Sequence, residues 1–416
     1  MTFDTLETRD PEARERDLMA RLPQLVRHAQ SAPGWARILD GVDASEITSR
    51  AALAALPITR KSDLKSLQQG AMPFGALTTT PVGQLARVFV SPGPIFDPEG
   101  RDPDWWRFAR PLYAAGVRTG GLLQNCFSYH FTPAAFMVEG GAARIGCAVI
   151  PAGAGQTEMQ VQSIADLRPN TYVGTPSFLR IIIEKAREMG RDISSVQHAL
   201  MSAEALPESL RSWFHQNGVA HVLQVYASAD IGSIAYETET DGAINPGMVL
   251  DEDVILEIVR PGSGEPVAPG DIGEVVVTVF NPDYPLVRFA TGDMSALLVD
   301  TPASKCGRTN LRIKGWMGRA DQTTKVRAMF VHPSQVANIV RRHPVILKAR
   351  LVVSGRMAND AMTLHCEVNG APGDEQEQAI VDTIRDVTKL RGSVRFAPPG
   401  SLPEDGKVIE DVRDYN

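Results

Sequence analysis

The residues with the type and setting for chemistry gather late in the chain. Tyr284-Pro285-Leu286-Val287-Arg288-Phe289-Ala290-Thr291-Gly292-Asp293 is an apolar stretch that runs into a carboxylate. That order puts Asp293 at the carboxyl end of a strand, where open α/β folds hold their ligands. Further on, Gly318-Arg319-Ala320-Asp321 brings a guanidinium and a second carboxylate into one turn. Composition breaks there, and Val331-His332-Pro333-Ser334-Gln335 opens a new unit with a proline-initiated helix. Two further groups have the charge to meet an ion or an anion. Asp230 is a carboxylate in a Tyr-Ala-Ser-Ala-Asp run, and Lys407 is a cation that follows Gly406 in the tail. Each has a plain alternative on its own: Asp293 capping a turn, Arg319 in a surface pair, Lys407 simply solvated.

The elements that must position these groups follow from periodicity. Leu18, Leu22, Leu25 and Val26 recur at helical spacing and predict a helix over 11–32. A strand at 87–90 follows. Strands at 122–127, 148–151 and 171–177 alternate with helices that end near 145, 167 and 189, which predicts a parallel sheet covered by helices. After the strand end at 199–201 comes a helix over 208–217. Segments 254–259, 273–278 and 285–289 read as strands of a smaller β-rich subdomain, joined by Gly- and Pro-containing turns. Beyond Asp321 the order is helix (333–342), strand (349–354), strand (362–368), helix (375–390), strand (394–397). The expected fold class is therefore α/β, with a large domain over 1–317 and a small α+β domain over 318–416.

Composition narrows the function classes. The chain has 416 residues, 43% of them hydrophobic and 22% charged, as ordinary soluble globular proteins do. A net charge of −7 gives no support to nucleic-acid or anionic-membrane partners. Cys126, Cys147, Cys306 and Cys366 are widely spaced with no C-x-x-C pair, which speaks against a structural zinc site and for a reducing, cytoplasmic setting. The first residues are charged, with no apolar signal-peptide run, and no stretch of 18 apolar residues predicts a membrane span.

The pairing of Thr291-Gly292-Asp293 with Gly318-Arg319-Ala320-Asp321 resembles the adenylate-forming ligases, specifically the phenylacetate-CoA ligase branch. The resemblance implies that Asp293 grips the ribose hydroxyls of ATP and that Arg319 also reaches the nucleotide. Asp321 would be the hinge of a mobile C-terminal domain, and Lys407 would bridge carboxylate and phosphate during adenylation. Leu56-Pro57-Ile58-Thr59-Arg60-Lys61-Ser62-Asp63-Leu64 resembles the signature that opens these ligases. Its own residues read as a loop with Thr59 capping a short helix, a mark of family that carries no chemistry. Ser202-Ala203-Glu204 is similar to the Gly-Ala-Glu strand end that borders adenine, with Ser202 in place of glycine. Tyr226-Ala227-Ser228-Ala229-Asp230 is similar to a Tyr-Gly-x-(Ser/Thr)-Glu motif. By that likeness Tyr226 stacks on adenine and Asp230 holds Mg2+, while Ala227 replaces the glycine and Ala229 the phosphate-facing hydroxyl. Tyr129, His130 and Phe131, with Ile231 and Gly232, would shape the acyl pocket. Phe131 reads equally well as core, Phe136 better as core, and His130 beside a cleft can bond or titrate near neutral pH.

One stretch departs from the family. Where a Ser/Thr/Gly-rich phosphate loop with a terminal lysine would lie, this chain has Ser91-Pro92-Gly93-Pro94-Ile95-Phe96-Asp97-Pro98-Glu99-Gly100. Ser91 and Gly93 suit a phosphate cradle, but prolines lack the N–H donors and two acids repel phosphate. The resemblance implies an ATP-dependent aryl- or arylacetyl-CoA ligase using ATP, Mg2+ and coenzyme A on an aromatic carboxylic acid, in a branch where homodimers are common. The altered loop keeps two other readings open. One is an acyl or nucleotidyl transferase that needs no triphosphate, and the other is a non-catalytic protein that binds an aromatic acid or nucleotide.

Overall fold

Alternation along the strands decides the architecture of the larger unit. Leu123, Val173, Leu200 and Leu223 face one apolar layer, while Tyr172, Ala199, Met201 and Val222 face another. A sheet apolar on both faces has to be covered on both. The first layer is closed by the helices Pro11–Gln30, Ala109–Ala114 and Ala134–Ile145, and the second by Thr157–Leu167, Pro176–Glu188 and Glu208–Gln216. Helix starts follow local chemistry: Pro11 and Pro176 open their helices, and the Asp10 carboxylate accepts the Ala13 N–H at 2.8 Å.

The structure is a computed structural model that describes residues 1–92, 94–299, 304–320, 322–327, 329–356, 359–370, 372–403 and 407–413. The chain divides into two compact units, 1–317 and 318–416. The main sheet of the larger unit has eight strands, in the order Arg312–Ile313, Met248–Leu250, Gly232–Tyr236, His221–Ser228, His198–Met201, Thr171–Gly174, Leu122–Asn125, Ala148–Ile150. The last five run parallel, and the first three extend the sheet antiparallel. A second sheet pairs Thr59–Arg60, Leu286–Ser295, Gly273–Val279 and Val254–Val259 in that order. Arg87–Ser91 and Ile95–Glu99 form a separate antiparallel hairpin.

The smaller unit has its own four-stranded sheet, Ser393–Ala397, Asn359–Val368, Ile346–Arg356 and Ile409–Asp411, with the helices Pro333–Arg342 and Asp374–Thr388. Val336, Ile339, Leu351, Leu364, Ile380 and Ile384 form its apolar core. Among the described residues no helix is long and apolar enough to cross a membrane.

Three local expectations are corrected. Thr59 caps no helix: it is buried in a two-residue strand whose register sets it beside Phe289 and Arg60 beside Ala290. The segment after Ser91 is not an open loop, because Ile95–Glu99 returns as a strand. The strand carrying Asp293 does not stop there but continues to Ser295.

Candidate active site

Asp293 stands on a bulge. Ala290 pairs with Val276 and Met294 with Glu274, so Thr291, Gly292 and Asp293 all lie opposite the single residue Val275. Gly292 has φ +77°, a conformation that glycine adopts without steric cost. The Thr291 hydroxyl donates to the Val275 carbonyl at 3.1 Å and accepts the Asp293 N–H at 3.1 Å, which fixes the turn of the chain. The half-buried carboxylate is then held from both sides. The Tyr226 hydroxyl donates to Oδ2 at 2.9 Å, and the Trp316 indole N–H donates to Oδ1 at 3.1 Å. Trp316 is brought there by its chain neighbours: the Met317 N–H donates to the Met294 carbonyl at 2.9 Å, and the Ser295 hydroxyl to the Gly315 carbonyl at 2.7 Å. Sequence reading missed Trp316, although it lies between the two motifs that were singled out.

The second cluster forms where the phosphate loop was expected. The Ser91 hydroxyl donates to the Asp97 carboxylate across the hairpin. Asp97 is 1% exposed, and its partner in charge, Asp230, is 3% exposed. Lys61 makes an ion pair with Asp230 Oδ2 and donates to the Ser228 hydroxyl at 3.0 Å. That hydroxyl in turn donates to Asp230 Oδ2 at 2.9 Å. Burial works against the Lys61 ammonium, but Asp230, Asp97 and Asp293 outweigh it and hold its pKa above the ordinary lysine value. Burial first, and then Asp230, push the Asp97 carboxyl well above the usual aspartate range, against the pull of Lys61 and Ser91. Of the two acids read as repelling phosphate, Asp97 bonds into this cluster, while Glu99 accepts a hydrogen bond from Arg87 at 2.9 Å. Lys61 was read as carrying no chemistry. The parallel pairing of Arg60 with Ala290 delivers it alongside Thr291 to Asp293, and so short a pairing leaves no signal in the sequence.

The remaining candidates make other contacts. The Ser202 hydroxyl donates to the Val225 carbonyl at 2.9 Å, Ala203 is exposed at φ +68°, and Glu204 accepts the Ser177 N–H at 3.2 Å. Ala227 pairs with Ser233 across the antiparallel turn. Ile231 is buried in the apolar core, with its carbonyl accepting from Arg107 at 2.6 Å. Gly232, at φ +83°, packs so tightly on Trp106 that a Cβ would lie 2.5 Å from its carbonyl oxygen. The half-buried Tyr129 donates to Glu139 at 2.6 Å and accepts from Asn125 at 3.0 Å; burial, then Glu139, push its phenol up. His130 is exposed, and Phe131, 74% exposed at φ +62°, is no core residue. Phe136 packs on Phe89 and Tyr129, with ring centroids at 5.3 and 5.5 Å. Arg319, half-buried, and Lys407, exposed, belong to the smaller unit. Gly93 and Asp321 lie outside the described residues.

A magnesium ion held by Asp230 does not fit this arrangement. Oδ2 already takes Lys61 and Ser228, and an ammonium stands where the resemblance puts a metal. Asp293, by contrast, has the fixed orientation that a clasp on a diol requires.

Residues 117–279 match the family model described as AMP-binding enzyme. The chain is 29% identical to the phenylacetate-coenzyme A ligase of Thermus thermophilus, covering 94% of this chain and 95% of that one. It is 28% identical to the Escherichia coli phenylacetate-coenzyme A ligase, covering 99% and 98%. Among solved structures, 2-hydroxyisobutyryl-CoA ligase in complex with 2-HIB-AMP and CoA superposes with a TM-score of 0.82 at 23% identity, over 99% of this chain and 92% of that one. At that identity the likeness establishes the fold alone, a mixed α/β architecture.

Proposed function

We propose that this chain, a phenylacetate-CoA ligase-like member of the AMP-binding enzymes, joins a carboxylic acid to coenzyme A by way of an acyl-adenylate. The observation that carries the proposal is the Asp293 carboxylate, fixed by Tyr226 and Trp316 on a bulge instead of being left to rotate. A carboxylate oriented in this way can accept both hydroxyls of a ribose without losing rotamer freedom at the moment of binding.

In the first step a carboxylate oxygen of the acid attacks the α-phosphorus of ATP, and pyrophosphate leaves. In the second, the thiol of coenzyme A gives up its proton, its sulfur attacks the acyl carbon, and AMP leaves. Most of the chain's contribution is positioning and charge. Asp293 clasps the sugar, Tyr226 and the turn at Ser202, Ala203 and Glu204 border the base, and Arg319 reaches the nucleotide. Lys407 bridges carboxylate and phosphate in the first step. The unit 318–416 then turns about Asp321 to admit the thiol. The names of the relatives support an aromatic acid, with Tyr129 as the ring-bearing residue of its pocket.

The test is pyrophosphate release by the whole chain, with ATP and a panel of acids from phenylacetate and benzoate to short aliphatic ones. Release that needs both ATP and an acid is expected, with the aromatic acids fastest. A second reading is favoured by one observation: Ser91, Asp97, Lys61 and Asp230 bond one another where a triphosphate would be gripped. Exchange of an acyl group between CoA thioesters without ATP, and no pyrophosphate, would replace the ligase with a transferase.

A further inference from the structure

The pocket made by Asp97, Asp230, Ser91 and Ser228 has the composition of a cation site. Two carboxylates are enclosed there, each at least 97% buried by exposure values of 1% and 3%. Two hydroxyls stand beside them, and each donates to one of the acids. Enclosed carboxylates require a counter-ion or a proton, because desolvating a lone charge costs several kcal/mol. The counter-ion present is the Lys61 ammonium, whose side chain is 29% exposed and reaches in from the edge of the second sheet.

The fit is partial. Lys61 meets Asp230 at Oδ2 and Ser228 at its hydroxyl, while Asp230 Oδ1 is buried and takes no bond from the ammonium, and the Asp97 and Asp230 carboxyls are hydrogen-bonded to each other. The pocket therefore holds one more aimed acceptor than the ammonium satisfies. An oxygen-rich pocket with a spare buried carboxylate oxygen is what a small divalent ion takes, given room for it. The ammonium and the ion compete for Asp230 Oδ2, and the lysine is tethered to the chain one residue after Arg60, so it is present at high effective concentration.

We infer that Lys61 is the resident cation of the Asp97–Asp230 pocket, and that without nucleotide a divalent ion enters it only when the lysine is removed. The chain itself then presents no fixed metal to an incoming phosphate. This proposal rests on the pocket and not on the ligase reading.

Titration of the full chain with Mn2+ alone, followed by electron paramagnetic resonance, tests it without ATP, acid or coenzyme A. The natural chain is expected to bind no Mn2+ below the millimolar range. K61M and K61Q are each expected to take one Mn2+ at least tenfold more tightly than the natural chain, and D97N placed on K61M is expected to abolish that gain. Folding of each variant is checked by circular dichroism. Tight binding of one Mn2+ by the natural chain, lost in D97N, would overturn the inference even if both lysine variants failed to fold. Folded K61M and K61Q that bind no Mn2+ would overturn it equally. Loss of pyrophosphate release would bear on the ligase reading alone.

Discussion

Two aspartates in the larger unit carry the same carboxylate and are set to different tasks by what surrounds them. Among its described contacts, Asp293 accepts hydrogen bonds from a phenol and an indole, and its charge also acts on Lys61. Asp230 is held by an ammonium, with a hydroxyl beside it and a second carboxyl facing it. A phenol and an indole orient a carboxylate without adding a charge of their own. An ammonium orients it and cancels the charge, so a new cation must displace the first. On the proposed reading, Asp293 marks the sugar side, and the phosphate side already holds a cation of the chain's own. Burial agrees with this division, because Asp293 is half-buried on its bulge and Asp230 is almost fully enclosed. Two acids in one site with opposite tasks are a recurring result of environment acting on a single residue type.

The comparison breaks most visibly at Asp293. Asp293→Ala removes the acceptor for a ribose and is expected to cost about 3 kcal/mol of nucleotide affinity, roughly 100-fold in Kd, since hydrogen bonds to a charged group are worth about 1.5–3 kcal/mol. Calorimetric titration with AMP measures it, and unchanged affinity would remove Asp293 from the sugar site. Lys61→Met acts on the other side and on stability. It leaves enclosed carboxylates without their counter-ion, and the partly exposed lysine puts the cost below the roughly 3–5 kcal/mol of a fully buried pair, at about 2 kcal/mol, or a fall of roughly 4 °C in melting temperature. A Lys61→Met chain that melts with the natural one would mean that the ion pair is not formed in solution. Tyr226→Phe keeps the ring and deletes one donor to Asp293. Nucleotide affinity should weaken by about 1 kcal/mol, roughly fivefold, with little change in melting temperature. If Tyr226→Phe and Lys61→Met changed the same quantity by the same amount, the distinction between the two sides would collapse.

What could be read from the sequence divides along the same line. The parallel sheet was legible because its strands and helices alternate in apolar runs of distinct period. Asp293 and Tyr226 were singled out because each lies inside a contiguous motif, and the structure brings the two within hydrogen-bond distance. Lys61 was not. It enters the site through a two-residue strand paired with Phe289 and Ala290, and so short a pairing leaves no periodic trace. Asp97 was read as a repellent charge because the residues had been counted without the burial that changes what a carboxyl does. The bulge at Thr291 to Asp293 left one mark, Gly292, that a plain strand end would also explain. Trp316 is placed by backbone hydrogen bonds from Met317 and by the Gly315 carbonyl, contacts that no side-chain pattern records.

The smallest effect is read by its sign, and it falls on Asp97. Burial and Asp230 raise this carboxyl above its unfolded value near 3.8, so the folded chain holds the proton more tightly than the unfolded one. A raised carboxyl favours the folded state while it is protonated, and that advantage declines as pH climbs from the unfolded value toward the folded one. Asp97→Asn cannot lose a proton and still offers an oxygen to Ser91. Below pH 4 the two chains should therefore melt together, both being neutral at this position. As pH rises through the window, the natural chain should lose stability relative to Asp97→Asn, so the difference in melting temperature widens in favour of the amide. Scanning calorimetry from pH 4 to pH 8 measures the trend. A difference that stays flat would mean that Lys61 keeps Asp97 ionised throughout, and a difference of the opposite sign would mean that the ammonium is matched to both acids. Either result would make the phosphate side a balanced ion cluster and not a pocket with one acid too many. Its contrast with Asp293 would then rest on Asp230 alone.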